Sequence, residues 1–500
     1  MYHNYKEHGP FRFDHYCDLA LLRRVLENNC FVQSALSEAT ASGNPANPLV
    51  SFVELAADLR RTSKSSPFNT LVRLFVLAQT VSEDSAQEAL APIELDQLVS
   101  FGLLKRSSTG IRSVAALLPF EGLLLAYDMP VLTSKPCLHD HVLGVGPASL
   151  FLANLTVRKK VETVLDLGTG QGFQALLAAR HADHVIATDT NLRALNFTMF
   201  NARLNDMSNI ELRQGSLYDP VAGHNFDLII SNPPFVISPQ FQYEYRDSGM
   251  PGDAISEQVI RGAAGMLCEG GFCTVIFNWH HQDEEDWDER PRQWMIKSGC
   301  DAWIICSGTE DTITYASSWL RYEDNLEAHQ RLLDEWMAYY ERLGIGKISF
   351  GAIVLRRRSG HSNWIRADKV PTGQLSGSCS DQIQRIFVAQ DLIEELRDEA
   401  DFLKKSFRLI PDHQLEHVLQ LENGNWAVKK ALLKQTRGFQ FIGDIDSLVG
   451  TMVAGCDGQR SVGELLNDLA AGLGLASEKI APDCIRVIRK LFETGFIVEC

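Results

Sequence analysis

Thr163-Val164-Leu165-Asp166-Leu167-Gly168-Thr169-Gly170-Gln171-Gly172 decides the fold. Thr163 to Leu167 is a short apolar run and reads as a buried parallel strand. The glycines that follow let the backbone turn sharply and come close to a ligand. Phe173 to Arg180 then has the composition and periodicity of a helix. Strand, glycine turn and helix in this order open a nucleotide-type cofactor site, although glycines also mark ordinary turns.

The spacing separates cofactor classes. The dinucleotide fingerprint is G-x-G-x-x-G. This chain has G-x-G-x-G, with Asp166 just before it. A carboxylate there opposes a pyrophosphate and suits a cation. S-adenosylmethionine carries a sulfonium and an ammonium and no phosphate. Val185-Ile186-Ala187-Thr188 reads as the next strand, ending in Asp189. An acid at that strand end can accept both ribose hydroxyls. It also reads as a cap for a helix starting near Leu192.

Phe226 to Ser231 is another apolar run, followed by Asn232-Pro233-Pro234-Phe235. The carboxyl ends of strands are where open α/β sheets bind ligands. The Asn amide can donate and accept, so it can orient an amide or amino group. Two prolines fix φ and hold the turn rigid. The Pro233 carbonyl can accept from a nitrogen's N–H, and the Phe235 ring can stack on a planar group. This chemistry fits methyl transfer to a planar nitrogen, with orientation supplying the rate. Taken alone, the tetrad also reads as a proline turn after a core strand.

Together these residues resemble class I S-adenosylmethionine-dependent methyltransferases. The likeness is to the N-P-P-[YF] group, which includes the HemK-like glutamine methyltransferases and the small-domain ribosomal RNA guanine methyltransferases. It covers roughly residues 138–358. The resemblance implies an α/β fold: a seven-stranded, doubly wound, Rossmann-like core whose last strand is inserted antiparallel. It implies an enzyme with S-adenosyl-L-methionine as cofactor. It places Asp166, Gly168, Thr169, Gly170 and Gly172 in the methionine loop and makes Asp189 the ribose acid. Ser216 and Leu217 fall at the adenine contact, where many relatives have Gly-Asp-Leu-Phe and this chain has Gly215-Ser216-Leu217-Tyr218. Asp219 is a candidate substitute, or the start of the turn into Pro220. Asn232 and Pro233 become acceptor contacts, Asn232 also bordering the cofactor, and Phe235 the stacking residue. His141 to Ser149 corresponds to a segment that closes over the cofactor, and also reads as a glycine-bearing linker. Tyr245-Arg246-Asp247-Ser248-Gly249 reads as a substrate loop or as a surface ion pair.

The chain has 500 residues, a length that suits about three domains, and 45% hydrophobic content, enough for sizeable cores. Its formal net charge of −16 disfavours unassisted binding to long nucleic acid. Eleven cysteines without a CxxC pair read as reduced core residues of a cytosolic protein, and no zinc spacing occurs. His280-His281 are adjacent and project differently, so no metal site is expected. No signal peptide or long apolar span is evident, so a soluble, cytoplasmic protein with no membrane partner is expected.

The predicted organisation is a helical, winged-helix-like domain over 1–135, the methyltransferase domain over 136–358, a Ser- and Gly-rich linker over 359–381, and a second helical, winged-helix-like domain over 382–500. In the first, 41–48 reads as a loop, Ser51 opens a capping-box spacing, Leu71, Leu74, Phe75 and Leu77 form a helical stripe, and a hairpin spans Leu103 to Leu118. In the last, helices are expected at Ser461 to Leu469 and Cys484 to Phe492. Strands five to seven of the core are expected at Gly271 to Trp279, Asp301 to Cys306 and Ile348 to Arg358, with Glu310 to Leu343 largely helical. The expected function is N-methylation of a protein, peptide or small molecule. RNA base methylation and a cofactor-binding scaffold are the alternatives. Oligomeric state is open.

Overall fold

The computed structural model describes residues 8–40, 52–129, 138–320, 325–396, 398–422 and 424–500. It divides into two compact units, Met1–Ala153 with Lys160–Lys369, and Asn154–Lys159 with Val370–Cys500.

The first unit is built on an eight-stranded sheet. Its strands are β1 (Val161–Leu167), β2 (Ala182–Asp189), β3 (Ile210–Gln214), β4 (Phe226–Ser231), β5 (Leu267–His281), β6 (Cys300–Asp311), β7 (Lys347–Arg357) and β8 (Ile365–Lys369). Their order is β8-β6-β7-β5-β4-β1-β2-β3. β7 runs antiparallel between β5 and β6, and β1 to β4 pair in parallel. This is the class I methyltransferase order, with β7 inserted as expected. Helices α1 (Phe173–Ala179), α2 (Leu192–Leu204) and α3 (Ala254–Met266) follow β1, β2 and the tetrad loop. α4 (Thr312–Trp319) and α5 (Leu326–Leu343) lie between β6 and β7.

The sheet has one strand more than the seven expected. β8 lies in the stretch read as a linker and pairs in parallel with β6. Its two apolar residues, Ile365 and Ala367, pack against the sheet's core, but a single alternation is too short to mark a strand in the sequence. Polar contacts hold it as well. Trp303 Nε1 donates to Asp368 at 2.7 Å, and the Arg366 guanidinium lies 5.0 Å from the Trp303 ring.

The described amino-terminal segment has six helices, Leu19–Asn28, Gln33–Ala39, Phe52–Arg61, Pro67–Phe75, Glu83–Leu90 and Leu95–Phe101. A hairpin of Leu104–Ser107 with Gly110–Ser113 follows, then a second of Ala115–Phe120 with Leu123–Asp128. The Leu71, Leu74, Phe75 and Leu77 stripe is buried. The loop at 41–48, Ser51 and the boundary at 135/136 lie outside the described residues. This segment shares one core with the sheet's helices. Phe11 stacks on Phe200 at 4.0 Å and meets Phe197 edge-on at 5.2 Å.

Two asparagines on α2 and a third that caps its carboxyl end complete the attachment. Asn205 Oδ1 accepts from Leu124 N at 2.9 Å, and its Nδ2 donates to Leu124 O at 2.8 Å. Asn201 pairs in both directions with Ala126, at 2.7 and 2.9 Å. Asn196 does so with Phe11, at 3.2 and 2.9 Å. Toward its partner residue each amide presents an N–H and a carbonyl oxygen, which match that residue's own backbone C=O and N–H.

In the second unit, a three-stranded sheet of Asp457–Ser461, Ser406–Leu409 and Ile497–Glu499 accompanies helices Ser447–Gly455, Val462–Leu473 and Ser477–Glu493. Ser461 and Glu464 form a reciprocal capping box at the expected helix start. A separate sheet of His413–Glu422, Asn425–Gln435 and Ile442–Ile445 was not anticipated. No described helix is long and apolar enough to cross a membrane.

Candidate active site

The glycine loop joins β1 to α1, and side chains hold its shape. Gly168, Gly170 and Gly172 have φ of +75°, +58° and +91°, where a side chain would be strained. Gly172 is also close-packed, since a Cβ there would lie 2.8 Å from Thr198. Thr198 Oγ1 donates to Gly170 O at 2.9 Å, and Asn201 Nδ2 to Gln171 O at 2.7 Å. Asp189 Oδ2 accepts from Gly170 N at 2.9 Å. Side chains from α2 and the end of β2 thus fix the loop's carbonyls and amides in place.

The two acids differ in role. Asp166 is buried and accepts from Thr169 Oγ1 at 2.7 Å and Ala175 N at 3.0 Å, pinning the loop to the first turn of α1. Asp189 Oδ1 accepts from Asn191 N at 2.9 Å. The α2 cap is Asn191, which accepts from Arg193 N and Ala194 N, so Asp189 is not the helix cap. Asp189 is half-buried at the end of β2, with lone pairs left for a ligand.

The tetrad lies beside this loop. Leu167 of β1 pairs with Ser231 of β4, and Ser231 Oγ donates to Leu167 O at 2.9 Å. A Cβ at Gly168 would stand 3.9 Å from Asn232 O, and one at Gly170 would meet nothing within 4 Å. The backbones of Gly168 and Asn232 thus face each other beside open space. Pro233 is buried, and Asn232, Pro234 and Phe235 are half-buried. The Phe235 ring lies 5.9 Å from Phe350. Ser216 and Leu217 follow β3, whose last residue, Gln214, pairs with Asp189. Ser216 is exposed, and Asp219 N donates to Ser216 O at 3.2 Å, so Asp219 opens a turn.

The loop after the tetrad departs from expectation. Arg246 and Asp247 pair, but at 8% and 1% exposure they are not a surface pair. Asp247 accepts from Arg246 Nε at 2.8 Å, Ser238 Oγ at 3.1 Å, Gln242 N at 3.0 Å and Tyr243 N at 3.1 Å. A carboxylate with that many donors organises a loop from within. A chain segment before the core reaches this loop. Glu244 N donates to His139 O at 3.1 Å, and the His141 ring lies 6.3 Å from Tyr245. Val142 and Val145 are buried, so this stretch is packed structure and not a free linker. His280 is near Asp253 and His281 bonds Ser349, and the described residues hold no cluster able to bind a metal.

The residues present fit S-adenosylmethionine. Gln171 Oε1 and Thr188 Oγ1, in the loop and one residue before Asp189, are buried polar atoms with no protein partner. Burial pushes Asp166 up to about 7 and Asp189 up to about 6, against an ordinary value of 3.8. Both shifts are upward, so the stability these carboxyls contribute is full below their unfolded value. It is lost as pH rises through about 6 to 7. A cationic ligand reverses this by favouring the carboxylates. Calorimetric titration of S-adenosylmethionine in buffers of unequal ionisation heat should show proton release on binding, and affinity rising with pH across this window. Asp189→Asn should remove the lower step. Affinity independent of pH would mean neither carboxylate senses the cation.

Residues 143–290 match the model of the methyltransferase small domain, under half of the chain. Residues 53–116 and 386–499 each match a domain of unknown function. A ribosomal protein uL3 glutamine methyltransferase from Bradyrhizobium diazoefficiens is 31% identical over 172 residues, covering 32% of this chain and 53% of that protein. A release factor glutamine methyltransferase from Xylella fastidiosa is 41% identical over 128 residues, 23% of this chain and 46% of the relative. The Escherichia coli release factor glutamine methyltransferase is 31% identical over 151 residues, 27% and 51% of the two chains. The chain spans about half the length of these curated relatives.

Proposed function

We infer, from a core that is a class I S-adenosylmethionine-dependent methyltransferase domain of the N-P-P-[YF] type, that this chain methylates a planar side-chain nitrogen of a protein, with the glutamine amide as the preferred acceptor. The observation that carries the reading is the placement of Gly168 and Asn232 face to face at the ends of two paired strands. Glutamine follows from the relatives' acceptors and from the tetrad's chemistry.

Asp166, Gly168, Thr169, Gly170 and Gly172 form the loop that holds the methionine part of the cofactor. Asp189 takes the ribose hydroxyls, and Ser216 and Leu217 border the adenine. S-adenosylmethionine supplies a methyl group made electrophilic by its sulfonium. The Asn232 side chain and the Pro233 carbonyl accept the acceptor's two N–H bonds, which turns the nitrogen lone pair toward that methyl. Phe235 covers the planar face. When the nitrogen takes the methyl group, the methyl–sulfur bond would break with its electron pair left on sulfur, and the nitrogen would give up one of its two N–H protons to solvent. An amide nitrogen is a weak nucleophile, so the rate comes from fixing it in line.

The flanking segments act as protein-contact modules of winged-helix type in a cytoplasmic enzyme, an assignment that rests on helices followed by a hairpin and on the acidic charge.

Incubation with labelled S-adenosylmethionine and cell lysate tests the function. Label is expected in material that survives RNase and is lost to protease, with N5-methylglutamine in its acid-free digest. Label lost to RNase would assign an RNA base instead. Cofactor binding with no transfer would make the chain a scaffold.

A further inference from the structure

The helices inserted between β6 and β7 grip the loop that follows the tetrad through three tyrosine hydroxyls. Tyr340 Oη donates to Ile237 O at 2.8 Å, and Tyr315 Oη accepts from Ile237 N at 3.1 Å. Both polar groups of one peptide residue, two positions past Phe235, are thus held by side chains. Tyr339 Oη accepts from Gly252 N at 2.8 Å, at the far end of the same loop. Asn278 Nδ2, fully buried on β5, donates to Tyr315 Oη at 2.6 Å and ties this grip to the sheet. The opposite edge of the segment is held by Val236 N donating to Arg246 O at 3.2 Å and by the bridge between Phe235 and Asp247. Around these bonds, Val236, Ile237, Tyr315, Trp336, Tyr340 and Ile348 form a separate apolar cluster. Burial pushes the Tyr315 and Tyr340 phenols upward, so both are neutral hydroxyls.

We propose that α4 and α5 are the acceptor-positioning element of this enzyme, with Tyr315 and Tyr340 as positioning residues that fix Phe235, and through it the acceptor nitrogen, against the methyl donor. This deepens the methyl-transfer reading and rests on it. A hydroxyl pair on Ile237 adds nothing to cofactor binding, because Ile237 lies beyond the tetrad from the glycine loop. It decides how rigidly the stacking ring is placed, and misplacement by about 1 Å costs transfer up to about a hundredfold.

Tyr315→Phe and Tyr340→Phe each remove one oxygen and keep the ring in the cluster. Three readouts are compared with wild type: hydrogen–deuterium exchange over the 235–238 segment, calorimetric affinity for S-adenosylmethionine, and methyl transfer at saturating cofactor to the lysate protein that wild type labels. The wild-type Ile237 amide is expected to be strongly protected. In each variant its exchange should rise and transfer should fall, each by about tenfold, with cofactor affinity within about twofold. Tyr339→Phe, at the Gly252 end, should loosen its own segment with a smaller effect on transfer. An unprotected Ile237 amide in wild type would overturn the proposal without any variant. So would variants whose segment loosens while transfer holds, or whose cofactor affinity falls along with transfer. Wild type that binds cofactor and labels no protein would instead fail the methyl-transfer reading, and Ile237 exchange would still report on the grip.

Discussion

Asn232→Ala is expected to lower methyl transfer by about 3 kcal/mol in transition-state stabilisation, on the order of a hundredfold in kcat. Asn232 follows β4 directly, and the next two residues are prolines, so its backbone has little freedom to adjust. Losing its amide removes one of the two groups that hold the acceptor nitrogen, and the acceptor can then rotate about its remaining contact. The cofactor keeps the glycine loop and Asp189, so its affinity should stay within about twofold. Separate measurement of binding by calorimetry and of single-turnover transfer checks this. A large loss of affinity would move Asn232 from the acceptor to the cofactor.

Asn201→Ala should have the largest effect on the fold. The substitution strands Ala126 N–H, Ala126 C=O and Gln171 C=O, which the Asn201 amide now serves. Stranded buried backbone groups cost about 1–3 kcal/mol each, and a sum near 4 kcal/mol is expected after partial relaxation. Urea unfolding followed by circular dichroism measures it. The Gln171 contact adds a second effect, because the glycine loop loses one of its anchors and S-adenosylmethionine should bind several-fold more weakly. A stability loss under about 1 kcal/mol would mean that water replaces the amide, so that the pairing is not a structural joint.

What could be read from the sequence follows the range of the contacts. The glycine loop, Asp189 and the tetrad are local patterns, each at the end of a largely apolar strand, and the structure places them side by side. The inserted antiparallel strand is long and apolar, so it too was visible. Contacts between distant residues were not. Asn196, Asn201 and Asn205 resemble a solvated helix face, and nothing in the helix itself says that a strand lies against them. Tyr315 and Tyr340 are 78 and 103 residues from Ile237, and a tyrosine in an apolar helix reads as ordinary packing. Arg246 and Asp247 are adjacent in sequence, where a buried pair and a surface pair look alike. β8 is short and polar, and the Ser- and Gly-rich stretch around it hid it.

The asparagines of α2 and its carboxyl-terminal cap have one more effect. Strand Leu123–Asp128 pairs on only one side with Ala115–Phe120, so its other side would be an open edge. Leu124 and Ala126 turn their polar groups to that side and find Asn205 and Asn201, and Asp128 N donates to Val142 O at 3.0 Å. Two amide side chains and one loop carbonyl thus close the edge along which a strand from another molecule would add. Cutting the chain at the start of its catalytic core would strip that strand from α2 and leave three buried amides facing water. The core would then carry an adhesive face, and the amino-terminal segment protects against self-association as much as it adds contacts of its own.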